Sequence, residues 1–229
     1  MKQKRVCLTE MAYVLGILIL AAGTALMELA DFGMSMVVAP AYLLHLKVSQ
    51  VVPAFSFGMS EYVFQAVLLI ALGAVMRRFR MSYLFSFVTA VIYGFTLDLA
   101  IFAASALPCP GILWRCAYYV LGMVLCSLGV AFLFHTYIAP EAYELVVKEI
   151  SAKTGVRLDR VKTVYDCCSC ALGVALSFAF FGFGHFEGVK AGTIFCALIN
   201  GFLIGRISLA LENAFDFKDA LPLRGLFSR

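Results

Sequence analysis

Charge is the scarcest property of this sequence. Asp, Glu, Lys and Arg make up 14% of its 229 residues, against about 25% in soluble domains. So few charges cannot clothe a surface that faces water, which excludes an ordinary soluble domain. The signatures of several enzyme classes are also missing. His45, His135 and His185 are scattered, so no HExxH spacing exists to hold a catalytic zinc. There is no Gly-Lys-Ser phosphate loop and no Gly-x-Ser-x-Gly elbow. The polar segments are too short to form a separate catalytic domain. Neither an enzyme nor a cofactor is expected. The apolar runs lack period-2 alternation, which excludes barrel strands.

Apolar residues are abundant, at 63%, and they come in runs. Stretches free of Asp, Glu, Lys and Arg cover 11–27, 62–76, 81–97, 116–135, 167–186 and 191–205. A spanning helix needs about 20 mainly apolar residues, a length the shorter runs reach if Arg77 and Lys190 snorkel to the interface. The expected fold is an all-α polytopic membrane protein with about six transmembrane helices. Their expected positions are 11–30, 60–77, 81–106, 112–136, 163–183 and 188–210, and the lipid bilayer is the expected partner. The first thirty residues imitate a secretory signal, with a basic start and an apolar middle. Five further spans favour an uncleaved first helix, and Cys7 precedes the apolar run rather than following it.

The net charge of +4 finds its explanation in topology rather than in nucleic acid, which is not expected as a partner. If the N-terminus is cytoplasmic, every Lys and Arg except Lys47, Arg115 and Lys190 falls on the inner side. That asymmetry predicts a bacterial inner-membrane protein with both termini in the cytoplasm.

An internal repeat is expected as well. Tyr13-Val14-Leu15-Gly16 returns as Tyr119-Val120-Leu121-Gly122, and Gly23 and Gly129 keep the same offset. Ala39-Pro40-Ala41-Tyr42 returns, with one insertion, as Ala139-Pro140-Glu141-Ala142-Tyr143. Ile92-x-Gly94-Phe95 in the third helix matches Ile199-x-Gly201-Phe202 in the sixth. An odd number of spans per unit makes the second unit enter from the opposite side, as in many secondary transporters. The expected division is 1–107 and 108–212 as two inverted three-helix repeats, with 213–229 as a short cytoplasmic tail.

Each repeat carries a short proline-led segment after its first helix. Residues 140–154 read as an amphipathic helix on the cytoplasmic surface. Glu141 and Glu144 suit its positive end, Lys148 and Lys153 its negative end, and Gly155 a stop. Residues 31–47 fit either a re-entrant segment or an outer loop.

Asp31-Phe32-Gly33-Met34-Ser35 after helix one, Tyr143-Glu144-Leu145 after helix four, and the glycine-containing third and sixth helices together resemble the bacterial YitT/YczE-type multi-pass membrane proteins. The resemblance covers nearly the whole chain. It implies a small cytoplasmic-membrane protein of poorly defined activity and supplies no catalytic residues.

Ionisable residues inside spans cost about 2.5–3.5 kcal/mol at a helix centre on insertion scales, so they are candidate sites. Asp98, amid Leu97, Leu99 and Ala100, reads as a proton, cation or solute site or as an interfacial carboxylate. Glu61 and Asp166 open the second helix of each repeat. They line the two mouths of a pathway or cap helix ends. Gln65 and Asn200 are amides that hydrogen-bond between helices or meet a solute. Cys167, Cys168 and Cys170 lack a second ligand cluster nearby, so no metal site is expected and they read as small buried helix residues. Cys109 and Cys116 lie close enough in sequence to pair. Three functions compete: a transporter of an unknown small solute or ion; the substrate-capture membrane subunit of a larger, energy-coupling transporter; and a non-transporting membrane regulator acting through residues 140–162. A homo-oligomer or a partner membrane protein is compatible with all three.

Overall fold

Long apolar runs dictate long helices, and the computed structural model, which describes residues 5–77, 80–184 and 186–222, contains eight among those residues. In chain order the elements are β1 (Arg5–Leu8), α1 (Thr9–Ala30), α2 (Ala39–Val48), α3 (Phe57–Met76), α4 (Met81–Ala104), α5 (Ile112–Phe134), α6 (Ala142–Thr154), α7 (Leu158–Phe181), α8 (Ala191–Ala214) and β2 (Phe215–Lys218). Six of them, α1, α3, α4, α5, α7 and α8, are long and apolar enough to cross a membrane. The chain is a multi-pass membrane protein. Lys2, Lys4, Arg78, Arg224, Arg229 and His185, used in the sequence reading, lie outside the described residues.

The centre of the bundle is the crossing of α1 and α5. Gly16 faces Gly129, while Gly23 faces Gly122, so the two helices run in opposite directions. Neither pair leaves room for a side chain. A Cβ on Gly23 would sit 2.7 Å from the Cys126 nitrogen and 2.8 Å from the Gly122 oxygen. Small residues let backbones approach this closely, and in lipid such packing replaces the hydrophobic effect as the force between helices. Around this pair, α4 packs on α1 and α8 on α5, α3 flanks α4, and α7 flanks α8.

The ends of the bundle are fastened differently. β1 and β2 form a parallel pair, with Arg5 opposite Phe215 and Leu8 opposite Lys218. This places the segments before α1 and after α8 at one end, as an even number of spans requires. Glu10 reinforces the join. It accepts hydrogen bonds from the Tyr137 hydroxyl (2.7 Å) and from the backbone N–H groups of Ala220 and Leu221. At the opposite end Asp31, with a left-handed φ of 55°, pairs with Arg115 of α5 (2.8 Å) and with Lys190 just before α8. Burial alone would push the Asp31 carboxyl up, but the hydrogen bonds and charges of Lys190 and then Arg115 outweigh it and hold it below the usual carboxylate range.

The short helices depart from expectation. The first half of α6, from Ala142 to Val147, is buried, and only its last turn is exposed. It does not lie on the surface. Its apolar residues match the gap between α3, α4 and α7, and burying them there outweighs the cost of drawing Glu141 and Glu144 inside. Gly155, at φ 68°, ends the helix as its position suggests. Residues 34–39 are also entirely buried, so this part of the 31–47 segment packs inside the bundle. Pro40 stands in the first turn of α2, whereas Pro140, expected to open the helix at 140, precedes the Glu141 cap and lies outside α6, which starts at Ala142.

Candidate functional site

The site begins with an irregular stretch of backbone. Before α6, residues 139–141 are not helical; the Glu141 carbonyl accepts the first hydrogen bond of α6 from Leu145, but those of Ala139 and Pro140 lie outside the helix ladder. Irregular backbone inside a membrane protein persists only where something satisfies it, and α4 supplies that something. The Thr89 hydroxyl donates to the Ala139 carbonyl (2.8 Å) and the Ser86 hydroxyl to the Pro140 carbonyl (2.6 Å). Gln65 of α3 accepts from the Ala142 N–H at 3.0 Å and so caps the start of α6. Glu141 and Glu144 are thereby fixed in the interior.

Six polar side chains gather there, each at most 2% exposed: Glu61 and Gln65 from α3, Glu141 before α6, Glu144 in α6, and Lys162 and Asp166 from α7. They fall into two linked halves. In one half, the Gln65 amide nitrogen donates to Glu61 Oε2 (3.2 Å) and to Glu141 Oε2 (3.1 Å), and the Tyr143 hydroxyl donates to Glu61 Oε2 (3.0 Å). In the other, Lys162 Nζ lies 3.1 Å from Asp166 Oδ1 and 3.5 Å from Glu144 Oε1. Glu144 stands close enough to the other three carboxyls to act on each electrostatically. Four carboxyls thus meet one ammonium in ion-pair contact, Lys162, while Lys148 acts on Glu144 from the next turn of α6. Glu61 Oε1, Glu141 Oε1 and Glu144 Oε2 are buried with no hydrogen-bond partner among the described residues.

Burial drives the Glu141 carboxyl well above its ordinary range. The charges of Glu144 and Glu61 push the same way, against the Gln65 hydrogen bond and the charge of Lys162. Lys148, in the next turn of α6, is pushed down to about 8 by burial, with Glu144 opposing.

Glu141, Glu144 and Lys162 border a cavity of about 20 Å³, room for a single water. Its far wall is the other irregular segment, Ser35, Val37 and Val38, and Asn200 and Tyr93 complete it. Asn200 Oδ1 accepts from the Ser127 hydroxyl (2.9 Å), and Tyr93 shares a hydrogen bond with Thr24 (2.9 Å). The two proline-led segments therefore meet at the centre of the bundle.

Of the residues singled out from sequence, Glu61, Gln65, Asp166 and Asn200 are brought together. Glu61 and Asp166 are not at two mouths and cap nothing. Ser56 caps α3, and Asp166 lies two turns inside α7, which starts at Leu158 rather than 163. Asp98 stands apart. It accepts from the Ser56 hydroxyl (2.6 Å) and the Gly58 N–H (2.8 Å), holding the start of α3. Sequence reading missed Glu141, Tyr143, Glu144 and Lys162 as site residues. The available signal was Glu141 and Glu144 on a segment whose apolar face was already visible; Lys162 lies on α7. Cys167 and Cys168 are exposed rather than buried, because they lie on the outward face of α7. Cys109 and Cys116 are both free. Among the described residues no group of three or more His, Cys, Asp or Glu is arranged to hold a metal ion.

Residues 7–208 match a family of unknown function, DUF6198. The chain belongs to that family. The match takes in every membrane-spanning helix up to the last turns of α8 and all the residues of the buried cluster. No curated protein and no solved structure matches the chain.

Proposed function

We propose that this DUF6198 member is a transporter of a small solute or ion, built as two inverted three-helix units, in which the buried carboxyls take up and release protons. The observation that carries the reading is the excess of acid at the centre: four buried carboxyls, a single ammonium in contact with them, and an enclosed space the size of one water. A membrane protein gains no stability from ionisable groups at that depth, so intramembrane carboxyls are expected to serve a pathway. A buried carboxyl without a cationic partner is held as the neutral acid, and a neutral acid that becomes accessible to water gives up its proton.

The arrangement of helices supports the inverted units. Exchanging α1 with α5, α2 with α6, α3 with α7 and α4 with α8 converts the α1–α4 contact into α5–α8, α3–α4 into α7–α8, α2–α3 into α6–α7, and α2–α7 into α6–α3. The repeated glycines obey the same exchange. Gly16 matches Gly122 and Gly129 matches Gly23 in sequence, and the Gly16–Gly129 contact has its image in Gly122–Gly23. Self-complementary pairing of this kind is what a two-fold axis produces. In such transporters the site lies at the repeat interface, next to irregular backbone. The regulator reading is weakened, since the first half of α6 offers no surface for a partner.

The test is reconstitution into vesicles that hold a pH-sensitive dye, followed by a pH step in the presence of a panel of small solutes. Solute-dependent proton movement is expected, at least tenfold slower in Glu141→Gln and in Glu61→Gln. Unchanged movement in both variants refutes the site. Movement no faster than in protein-free vesicles, from a folded wild-type protein, refutes transport.

A further inference from the structure

Beyond the buried cluster, the bundle carries a groove of about 600 Å³ between α7 and α8, at the end that holds the paired β1 and β2. Its origin is visible in two glycines. At Gly201 the helices touch, since a Cβ there would lie 2.8 Å from the Thr163 hydroxyl, whereas at Gly205 a Cβ would meet nothing within 4 Å. The helices part between these two positions. The groove runs down the opening and is floored by Gly205.

Its chemistry is divided along its length. Arg157, Arg160 and Arg206 line it together with Lys162, and Asp159 is the one acid. Asp159 is already engaged by Arg157 through two hydrogen bonds of 2.9 and 3.2 Å, and Lys162 is committed to Glu144 and Asp166. Arg160 and Arg206 have no ion-pair partner among the described residues, and Arg206 lies against the ring of Phe202, 5.8 Å from its centre. The groove therefore presents guanidinium charge without compensating acid. Its remaining wall is apolar. Leu198, Phe202 and Leu209 line it and are 66%, 66% and 56% exposed, so the groove opens sideways onto the surface that meets acyl chains.

We propose that this groove is a binding site for an anionic phospholipid of the adjoining leaflet, with the headgroup phosphate held by Arg160 and Arg206 and an acyl chain lying over Gly205 against Leu198, Phe202 and Leu209. Guanidinium groups suit phosphate because their donors match its oxygens pairwise. Basic pockets between spanning helices take anionic headgroups for this reason. A soluble anion would use the arginines but has no need of the apolar wall, and a zwitterionic lipid would use the wall but not the excess charge. The proposal does not depend on the transport reading.

The experiment measures thermal stability of the purified chain in detergent as phosphatidylglycerol, phosphatidylcholine or inorganic phosphate is added, with native mass spectrometry to count retained lipid. Phosphatidylglycerol is expected to stabilise and to remain bound, with phosphatidylcholine and phosphate showing little effect. Removing one exposed arginine is expected to weaken binding about fivefold, so Arg160→Gln with Arg206→Gln should weaken it about 25-fold. Lys153→Gln, an exposed cation at the same end but outside the groove, should leave it unchanged. Gly205→Leu fills the groove while keeping every charge, and its side chain enters open space, so it should displace the lipid from a folded protein. Equal stabilisation by phosphatidylcholine, or by phosphate alone, overturns the proposal. So does full retention of phosphatidylglycerol in Gly205→Leu, or dimers formed across Gly205→Cys that exclude lipid.

Discussion

Glu141→Gln is the most informative single change in this protein. Glutamine keeps the size of the side chain and an oxygen for the Gln65 amide, which donates to Glu141 Oε2 at 3.1 Å, but it cannot ionise. Burial, reinforced by Glu144 and Glu61 and opposed by Gln65 and Lys162, raises the Glu141 carboxyl in the folded protein. The sign of the pH effect follows. Below the ordinary glutamate value of about 4.3 the folded and unfolded chains both carry the proton, and wild type and variant should be alike. As pH rises, the unfolded chain releases the proton while the folded chain keeps it, so the wild type loses stability and the variant does not. The slope is about 1.4 kcal/mol per pH unit for one proton, until the raised folded value is reached. At about 2–4 °C per kcal/mol for a chain of this size, the variant should gain about 3–6 °C on wild type for each pH unit above that starting point. Thermal unfolding in detergent from pH 4 to 8 measures it. A difference that stays flat across this range, or a variant that falls behind as pH rises, would mean that Glu141 is ionised in the folded protein and that the centre is not held neutral.

Other expectations follow from particular contacts. Gly23→Ala forces α1 and α5 apart at backbone atoms and should cost roughly 1–3 kcal/mol, seen as a lowered unfolding temperature, whereas Gly205→Ala should cost little beyond noise. Thr89→Val strips the Ala139 carbonyl of its donor and should cost about 1–3 kcal/mol, with greater protease sensitivity in residues 136–141. Asp98→Ala should lower stability by about 0.5–2 kcal/mol, the worth of a helix cap, while leaving vesicle proton movement intact; loss of movement in a folded variant would return Asp98 to the site. In a cysteine-free background, Val147→Cys should resist a water-soluble maleimide and Lys153→Cys should react, because only the end of α6 reaches water.

The positions of the spanning helices were legible because their signal is compositional. Runs without charge at this length read as membrane helices, and no boundary moved by more than five residues, the largest shift falling where charge misled. The α7 start shifted from 163 to Leu158 because Lys162, counted as a surface cation, is a buried partner of Asp166. The same error hid half of the site. Glu141 and Glu144 look like ordinary first-turn acids of a surface helix, since local sequence rewards carboxyls there whether the helix floats or is buried. What decides between the two is whether neighbours satisfy the preceding backbone, and those neighbours, Ser86, Thr89 and Gln65, lie fifty or more residues away in sequence. Asp98 misled in the opposite direction: an acid in a greasy helix reads as functional until its partners at Ser56 and Gly58 are known.

The two fastenings described for the ends of the bundle are unequal in kind. Around Glu10, strand pairing and backbone donors knit the first and last helices into a closed loop that dilute salt cannot loosen. At Asp31 the same two halves are held by solvent-facing charges, which electrolyte screens and acid removes. The molecule is thus a clothes-peg with a sewn spring and a magnetic tip. Rising ionic strength should slacken the tip first, and whatever reaches the central acids by that slackening enters from the Asp31 side.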